Sequence, residues 1–226
     1  MTDLTTEING VDIHLPATVA APLVTKALRD GTYEADEANA AERCVREGFR
    51  VLELGAGIGY VTSICARRTA PDNVLTVEAN PALIPVIEAN LARNGAEDVT
   101  VLHGAVVPRA REGETGAFRV QDHFPASRLA AEGGRSVEVP LIGFHELLRA
   151  HRPHVVLMDI EGAEAHLFDR PWKCPLRFCV LELHPRHYPP RAIKRIVDAM
   201  SAMSMTYDPA VSRGKIIGFR RVWKEA

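Results

Sequence analysis

The chain has 226 residues, and its 27 lysine and arginine residues against 29 aspartate and glutamate residues give a net charge of −2. This length suits one α/β domain with a well-buried core. The near-neutral charge provides no bulk attraction to nucleic acid or to an anionic membrane. The first residues lack a secretory pattern, and no apolar run reaches the ~18 residues of a membrane span. Four scattered cysteines form no C-x-x-C pair, so we expect a cytoplasmic protein with reduced thiols.

The first 47 residues precede the regular part of the chain and predict an N-terminal helical cap. Apolar residues at helical spacing indicate one helix over 18–30 and a second over 37–47. Gly31 and Gly48 follow these segments, and glycine is the residue that most often ends a helix.

From residue 50 onward, short apolar strands alternate with helices, a pattern that predicts a parallel sheet. Residues 106–140 interrupt the alternation with a stretch rich in glycine, arginine, glutamate and serine, which we interpret as an inserted hairpin or lid. The predicted strands are 50–54, 74–77, 99–103, 154–158, 176–183, 205–207 and 215–222, and the predicted helices are 60–68, 81–94, 144–150, 163–168 and 190–203.

The strongest motif is a glycine loop, Glu53–Gly59 (ELGAGIG), that follows a strand and opens a helix. Such glycines let the backbone turn tightly and let a ligand approach the main chain. A dinucleotide fingerprint, G-x-G-x-x-G, would place its third glycine at position 60, where this chain has Tyr60. The acidic opener Glu53 repels a pyrophosphate but favours the amino group and sulfonium of S-adenosylmethionine.

A second acid supports an adenosyl cofactor. Glu78 ends the second core strand, 19 residues after Gly59. A carboxylate at this place can accept hydrogen bonds from both ribose hydroxyls of a nucleoside. Together, the two acids favour S-adenosylmethionine over NAD.

Polar residues also end the later core strands. His103 follows the third strand, Asp159 and Glu161 follow the fourth, and Glu182 and His184 follow the fifth. The carboxyl ends of parallel strands form the ligand-binding edge of an open sheet, so we expect one site there. We predict Asp159, Glu161 and His184 as catalytic residues that orient the acceptor or take its proton.

Three assignments at this edge have alternatives. Glu164 falls in the first turn of a helix, where an acid is stabilised by the helix dipole, and we expect a capping role for it. A Mg²⁺ ion held by Asp159 and Glu161 is the less favoured alternative to backbone bonding, and we assign no metal ligands. His184 and His103 each have a purely structural alternative, as loop histidines bonded to backbone.

These motifs resemble those of the FkbM family of class I methyltransferases. The resemblance rests on Gly31–Glu34 (GTYE), Glu53–Thr62 (ELGAGIGYVT), Glu78–Pro81 (EANP) and Met158–Glu164 (MDIEGAE), with Leu181–Pro185 (LELHP) as a fifth-strand ending. It implies O-methylation and a seven-stranded sheet with an antiparallel last strand. The chain departs from the family pattern by Glu at position 53, Gly at 57 and Met at 158.

The predicted fold is therefore a single α/β domain over 1–226, a Rossmann-like class I methyltransferase fold with helices on both faces of a mostly parallel sheet. We expect O-methylation of a small metabolite or sugar, and do not expect nucleic acid as a partner or membrane binding; a homodimer is compatible with the sequence. The alternatives are a methyltransferase for protein or RNA and a non-catalytic cofactor-binding protein. The predicted cofactor-binding residues are Tyr33, Glu53, Gly55, Ala56, Gly57, Gly59, Tyr60, Glu78, Ala79, Asn80, His103, Gly104, Ala105 and Asp159.

Overall fold

The computed structural model describes residues 2–120, 128–129 and 135–222. Within these residues, the strands and helices are β1 (Leu4–Ile8), β2 (Val11–Leu15), α1 (Pro22–Arg29), α2 (Ala35–Cys44), β3 (Val51–Leu54), α3 (Tyr60–Arg68), β4 (Val74–Glu78), α4 (Ile84–Arg93), β5 (Thr100–His103), β6 (Ala105–Val107), β7 (Thr115–Val120), β8 (Arg128–Leu129), β9 (Arg135–Gly143), α5 (Phe144–His151), β10 (Val155–Met158), β11 (Phe178–Glu182), α6 (Pro190–Ala202), β12 (Met205–Tyr207) and β13 (Ile216–Arg221). From β3 to β5 and again from α5 to α6, strands and helices alternate as the sequence predicts.

A seven-stranded sheet with the order β12-β13-β11-β10-β3-β4-β5 forms the centre of the protein. The pairs from β11 to β5 are parallel, and β13 runs antiparallel to both of its neighbours. The predicted fold class is thus confirmed, including the antiparallel last strand. The strand order reverses between β3 and β10, which is where open α/β sheets bind their ligands.

The sheet is buried on both faces because its strand residues alternate between two apolar clusters. Val51 of β3 packs in the cluster that includes helices α1 to α4. Its neighbours Leu52 and Leu54 pack in the cluster that includes α5 and α6. Burial on both sides explains why these strands are continuous apolar runs in the sequence.

The N-terminal segment differs from the predicted helical cap. It contains α1 and α2, but the antiparallel hairpin of β1 and β2 precedes them. Asn9 and Gly10 connect the two strands with φ angles of 52° and 72°. Both angles are positive, as a two-residue hairpin turn requires, and Asn-Gly is the sequence that favours such turns. The prediction over 1–47 was therefore wrong for residues 4–15.

Residues 106–140 contribute a second sheet with the order β6-β9-β7-β8, as far as the chain is described there. β7 and β9 pair antiparallel over six residue pairs, from Thr115↔Pro140 to Val120↔Arg135. β6 joins this sheet by parallel pairing with β9. The remainder of the predicted lid, 121–127 and 130–134, lies outside the described residues.

No helix in the described ranges is long and apolar enough to cross a membrane. The short helix expected at 163–168 is a single 3₁₀ turn, Glu164–His166. The cytoplasmic location and the homodimer stay predictions.

Candidate functional site

A cavity of about 790 Å³ opens at the carboxyl ends of the central strands. This volume lies within the range of ~300–1,000 Å³ that is usual for small-molecule and cofactor sites. The glycine loop after β3, the acid that ends β4 and the turn after β10 contribute to its wall. An open cavity therefore lies at the point where the strand order of the sheet reverses.

Two glycines of the loop allow its close packing. Gly55 has φ 88°, and a Cβ atom there would lie 1.8 Å from the backbone oxygen of Asp159. Gly57 has φ 55°, and a Cβ atom there would lie 2.9 Å from both Tyr33 Oη and Glu34 Oε1. A side chain is disfavoured by backbone conformation at both positions, and at Gly55 the nearby backbone leaves no space for one.

Glu78 is positioned by its own loop and faces the cavity. Its Oε2 accepts a hydrogen bond from the backbone N–H of Gly57 at 3.1 Å, and its Oε1 accepts one from Asn80 at 2.7 Å. Burial raises the pKa of this carboxyl to about 7, against the lowering effect of these backbone donors. Additional donors such as ribose hydroxyls would favour the charged form.

Glu53 has a different position from the one expected. Its Oε2 accepts hydrogen bonds from the hydroxyls of Thr62 on α3 and Thr76 on β4, the latter at 2.6 Å. The side chain is 3% exposed, and burial raises its pKa to about 7. Glu53 lines a small neighbouring cavity of about 30 Å³ and is not among the residues that line the large one.

A cluster of acids surrounds His184 at the ends of β10 and β11. His184 Nε2 lies 3.5 Å from Asp159 Oδ1, 3.4 Å from Glu161 Oε2 and 3.9 Å from Glu182 Oε1. On the other side of the ring, Nδ1 lies 3.2 Å from Glu164 Oε1. The sequence prediction that these strand ends form one site is consistent with this arrangement.

The cluster shifts the protonation of its members. Burial is the largest effect on Asp159 and raises its pKa well above the usual value, with Glu182 and Glu161 adding to the rise. Burial raises the pKa of Glu161 to about 7. For His184, burial lowers the pKa, but the bond and charge of Glu164 and the charge of Asp159 outweigh it and raise the pKa to about 9.

Several residues that line the cavity were not predicted from the sequence. Glu37 lines it from the first turn of α2, and Phe118 lines it from β7. Lys215 and Ile216 line it at the start of β13. These residues belong to no motif, and only the three-dimensional packing brings them to the site.

The predicted site residues fall into two groups. His184 lies behind the cavity wall, in contact with the acids that form it. Those that line the large cavity are Tyr33, Gly55, Gly57, Glu78, Ala79, Gly104, Ala105, Asp159 and Glu161; those that do not are Glu53, Ala56, Gly59, Tyr60, Asn80, His103 and His184. The functional role of each remains a prediction.

The lining chemistry fits the cofactor that the sequence indicates. Glu78 follows Gly59 by 19 residues and ends a strand. A carboxylate at this place can accept hydrogen bonds from both ribose hydroxyls. Glu34, Asp159 and other acids line the cavity, and a bound cation such as S-adenosylmethionine would favour their charged forms. The fold itself is the Rossmann-like class I methyltransferase fold.

Comparison with known proteins supports the methyltransferase class. Residues 31–117 match the family model described as the TRM5/TYW2 methyltransferase domain. The chain is 32% identical over 87 residues to a protein-L-isoaspartate O-methyltransferase of Methanococcoides burtonii, which is 38% of each protein. It is 49% identical over 55 residues to a second such enzyme, from Methanoregula boonei, at 24% of each protein. The match therefore spans at most about two fifths of these relatives.

Solved structures with the same fold cover nearly the whole chain. The precorrin-6y C5,15-methyltransferase of Geobacter metallireducens aligns over 91% of this chain and 93% of its own, with a TM-score of 0.50 and 15% identity. Trm5b of Pyrococcus abyssi aligns over 97% of this chain and 56% of its own, with a TM-score of 0.52 and 14% identity. At these identities the likeness shows the fold alone.

These comparisons confirm one prediction and correct two. S-adenosylmethionine is the cofactor of this class, as the glycine loop and Glu78 indicated. The resemblance to the FkbM family was wrong, since the matching model is that of a family acting on tRNA. Positions 53 and 57 already departed from the FkbM pattern. The small-molecule acceptor and the exclusion of nucleic acid were also wrong, because the relatives are tRNA and protein methyltransferases.

Proposed function

We propose that this protein transfers the methyl group of S-adenosylmethionine to a nucleotide of an RNA. The proposal depends chiefly on one observation, a cavity that places the carboxylate of Glu78 and the acids that follow β10 in one wall. The match of residues 31–117 to a methyltransferase family acting on tRNA supports RNA as the acceptor.

The cofactor half of the reaction follows from Glu78 and the loop. The two backbone bonds of Glu78 fix the direction of its carboxylate, so that its remaining lone pairs can accept the ribose hydroxyls. Gly55 and Gly57 have no side chains, so the cofactor can approach the main chain of the loop closely. The bound cofactor supplies a methyl group on a sulfonium, which leaves without needing a proton.

The transfer half needs an acceptor held in line with the methyl group and a group that takes its proton. Asp159 and Glu161 line the cavity, and their carboxylates lie 3.5 and 3.4 Å from His184 Nε2. A nitrogen or hydroxyl acceptor can donate a hydrogen bond to either carboxylate and thereby be oriented. We assign the orienting role first to Asp159, whose backbone hydrogen-bonds to β3 (Asp159 N–H to Leu54 O, 2.9 Å) and is therefore rigidly placed.

The acids of this wall suit the edge of a nucleobase. Asp159, Glu161 and Glu182 line the cavity and can accept hydrogen bonds. The edge of a nucleobase is neutral and presents N–H groups, whereas the methyl-accepting group of an isoaspartyl residue is a carboxylate, which has no hydrogen to donate. A base has to leave its stack to enter such a cavity, while its phosphates stay outside. Lys215 also lines the cavity, where its Nζ lies 3.1 Å from Glu182 in an ion pair.

The test is transfer of radiolabelled methyl from S-adenosylmethionine by the full chain to three acceptors: total tRNA, an isoaspartyl peptide and free nucleosides. We expect label in tRNA alone. Label in the peptide alone would overturn RNA as the acceptor and favour the activity named for the protein-L-isoaspartate relatives. Absence of label from all three, with cofactor bound, would overturn methyl transfer to either macromolecule.

An Asp159→Asn variant tests the acceptor wall. We expect a drop in the rate constant of about 10²–10⁴-fold, the usual contribution of a positioned acid or base, with cofactor affinity changed little. Asp169→Asn is the matched control, because Asp169 pairs with His145 (2.7 Å) away from the residues that line the cavity. Equal rates in wild type and Asp159→Asn would remove Asp159 from the reaction.

A Glu78→Ala variant tests the ribose contact by isothermal titration with S-adenosylhomocysteine. We expect binding to weaken by about 1–3 kcal/mol, the usual effect of removing one partner of buried hydrogen bonds. Glu88→Ala, an exposed change on α4, is the control and should leave affinity unaltered. An unchanged affinity in Glu78→Ala would contradict the ribose role.

A further inference from the structure

Asp159, Glu164 and His184 carry potential metal-ligand atoms that lie close together. Asp159 follows β10, Glu164 begins the 3₁₀ turn after it, and His184 follows β11. One ligand atom from each of the three lies within 4.8 Å of the other two. Residues from two adjacent parallel strands thus converge on one point, at the edge where the sheet binds ligands.

Unpartnered atoms distinguish this group from an ordinary acidic cluster. Among the described residues, seven buried side-chain atoms lack a hydrogen bond of good geometry, and two of them are the carboxylate oxygens Asp159 Oδ1 and Glu164 Oε2. Glu164 has no solvent-exposed surface, and His184, whose Nδ1 lies 3.2 Å from Glu164 Oε1, is 8% exposed. Buried polar groups normally have partners, so two of the three residues that converge carry an oxygen with nothing to bind.

The backbone holds Glu164 in place for this task. Its Oε1 accepts hydrogen bonds from the N–H groups of Ile160 at 3.0 Å and Gly162 at 3.2 Å. These bonds satisfy one carboxylate oxygen and leave Oε2 free. A capping role alone, which the sequence suggested for Glu164, accounts for Oε1 and leaves Oε2 unexplained.

We propose that Asp159, Glu164 and His184 form a binding site for a divalent transition-metal ion. Two carboxylates and one imidazole are a ligand set that suits ions such as Mn²⁺, Fe²⁺ or Zn²⁺ better than Mg²⁺, which prefers oxygen ligands and water. The ion adds two positive charges to a region that also holds Glu161 and Glu182.

The site adjoins the reaction cavity through Asp159, which lines that cavity. The ion therefore lies next to the proposed acceptor-orienting residue Asp159. A second set of oxygens, from Glu37, Asp159 and Glu182, shares Asp159 and faces the same space. Metal binding itself needs neither cofactor nor acceptor, so its test is independent of methyl transfer.

The test titrates Mn²⁺ into full-length protein that has been stripped with EDTA, and follows the free ion by electron paramagnetic resonance. We expect one Mn²⁺ per chain, retained in excess Mg²⁺. Asp159→Asn and His184→Gln should each weaken binding at least tenfold, since even lost support around metal ligands changes affinity about 10–100-fold. His145→Gln is the matched control, because His145 is also buried beside a carboxylate (Asp169, 2.7 Å).

A second measurement covers the case in which a variant fails to fold. Pulsed spectroscopy on the wild-type protein with Mn²⁺ should detect the ¹⁴N coupling of a coordinated imidazole. Absence of bound Mn²⁺ in the wild type, binding without a nitrogen coupling, or full affinity in folded His184→Gln would each overturn the proposal. Loss of methyl transfer with intact Mn²⁺ binding would count against the proposed function alone.

Discussion

At the scale of single residues, the position of Glu53 in the structure differs from the one that the sequence suggested. Its place at the head of the glycine loop suggested direct cofactor contact, but its side chain joins α3 to β4 through Thr62 and Thr76. A loop position in the sequence does not reveal to which side of the loop the side chain points. Glu78, by contrast, faces the cavity as the sequence suggested, because the end of a parallel strand has only one ligand-binding edge.

Glu53 makes the stability of the protein depend on pH. Burial raises its pKa from 4.5 to about 7, so the folded state holds a proton that the unfolded chain loses near pH 4.3. Stability from this group is therefore lost as pH rises from about 4.5 to about 7. Gln cannot ionise and is free of this pH dependence. The change in free energy of unfolding caused by Glu53→Gln should therefore be more stabilising at pH 8 than at pH 5, by about 2–3 kcal/mol.

Urea denaturation of the cofactor-free protein at the two pH values measures this difference. The amide oxygen of Gln can still accept both threonine hydroxyls, so the packing of α3 on β4 is retained. Glu88→Gln should show the same small effect at both pH values, because its side chain is exposed. Equal effects of Glu53→Gln at pH 5 and pH 8 would contradict the raised pKa.

Gly55 and Gly48 separate backbone strain from close packing. Both have positive φ, 88° and 73°, but a Cβ atom at Gly48 meets nothing within 4 Å, whereas at Gly55 it meets Asp159 O. Gly48→Ala should destabilise the folded protein by about 1–2 kcal/mol, through the strain of a left-handed backbone conformation alone. Gly55→Ala should destabilise by about 3 kcal/mol or more, because the backbone must also move. Thermal unfolding compares the two, and similar losses would rule out the tight contact.

At the scale of elements, the core strands and helices were predictable and the N-terminal hairpin was missed. β3, α3 and β10 lie within about a residue of their predicted bounds, because apolar runs and glycine turns mark them clearly. The hairpin of β1 and β2 had a signal as well, Asn9-Gly10 between alternating residues. That signal was overlooked because helical spacing farther along set the prediction for the whole segment.

Asn90 explains how that hairpin contributes to the site. This residue of α4 is fully buried, and its Nδ2 donates to Ile58 O of the glycine loop at 2.8 Å and to His14 O of β2 at 3.2 Å. Its Oδ1 accepts from His14 N at 2.8 Å. One amide thus joins helix, hairpin and loop, a connection that no motif in the sequence marks.

Asn90→Ala should therefore affect both stability and cofactor binding. Loss of these bonds leaves buried backbone groups unpaired, at about 1–3 kcal/mol each, and frees the loop at Ile58. We expect about 3 kcal/mol of destabilisation in urea and weaker binding of S-adenosylhomocysteine. Asn94→Ala is the control: Asn94 makes analogous bonds to Asp12 at 2.9 Å, but where water can replace them. If both variants behave alike, Asn90 does not support the loop.

At the scale of the whole molecule, the cavity draws on three separate parts of the chain. Tyr33 comes from the segment before the core, Glu78 from the central sheet and Phe118 from the second sheet.

Cofactor at 100 times its Kd should stabilise the protein by about 2.7 kcal/mol, or about 5–10 °C in Tm for a chain of this size. Differential scanning calorimetry measures this rise, which Glu78→Ala should reduce at the same concentration because its Kd is higher. A ligand that leaves Tm of the wild type unchanged would contradict binding.

The acceptor was the part of the function that the sequence misassigned. Net charge averages over the whole surface, so the value of −2 does not describe the charge near the cavity. The motifs that could be recognised lie at 53–62 and 78–81. Glu37, Phe118 and Lys215 also line the cavity, but they are far apart in the chain and carry no recognisable pattern.

The close approach of Gly55 to the backbone of Asp159 joins the glycine loop to the turn after β10. A Cβ atom at Gly55 would lie 1.8 Å from Asp159 O, so a shift of one segment is transmitted to the other. A ligand that fixes one segment would therefore restrict the other, and any coupling between two ligands bound at these segments has to be reciprocal. If S-adenosylhomocysteine tightens the binding of an acceptor, that acceptor has to tighten the binding of S-adenosylhomocysteine by the same factor.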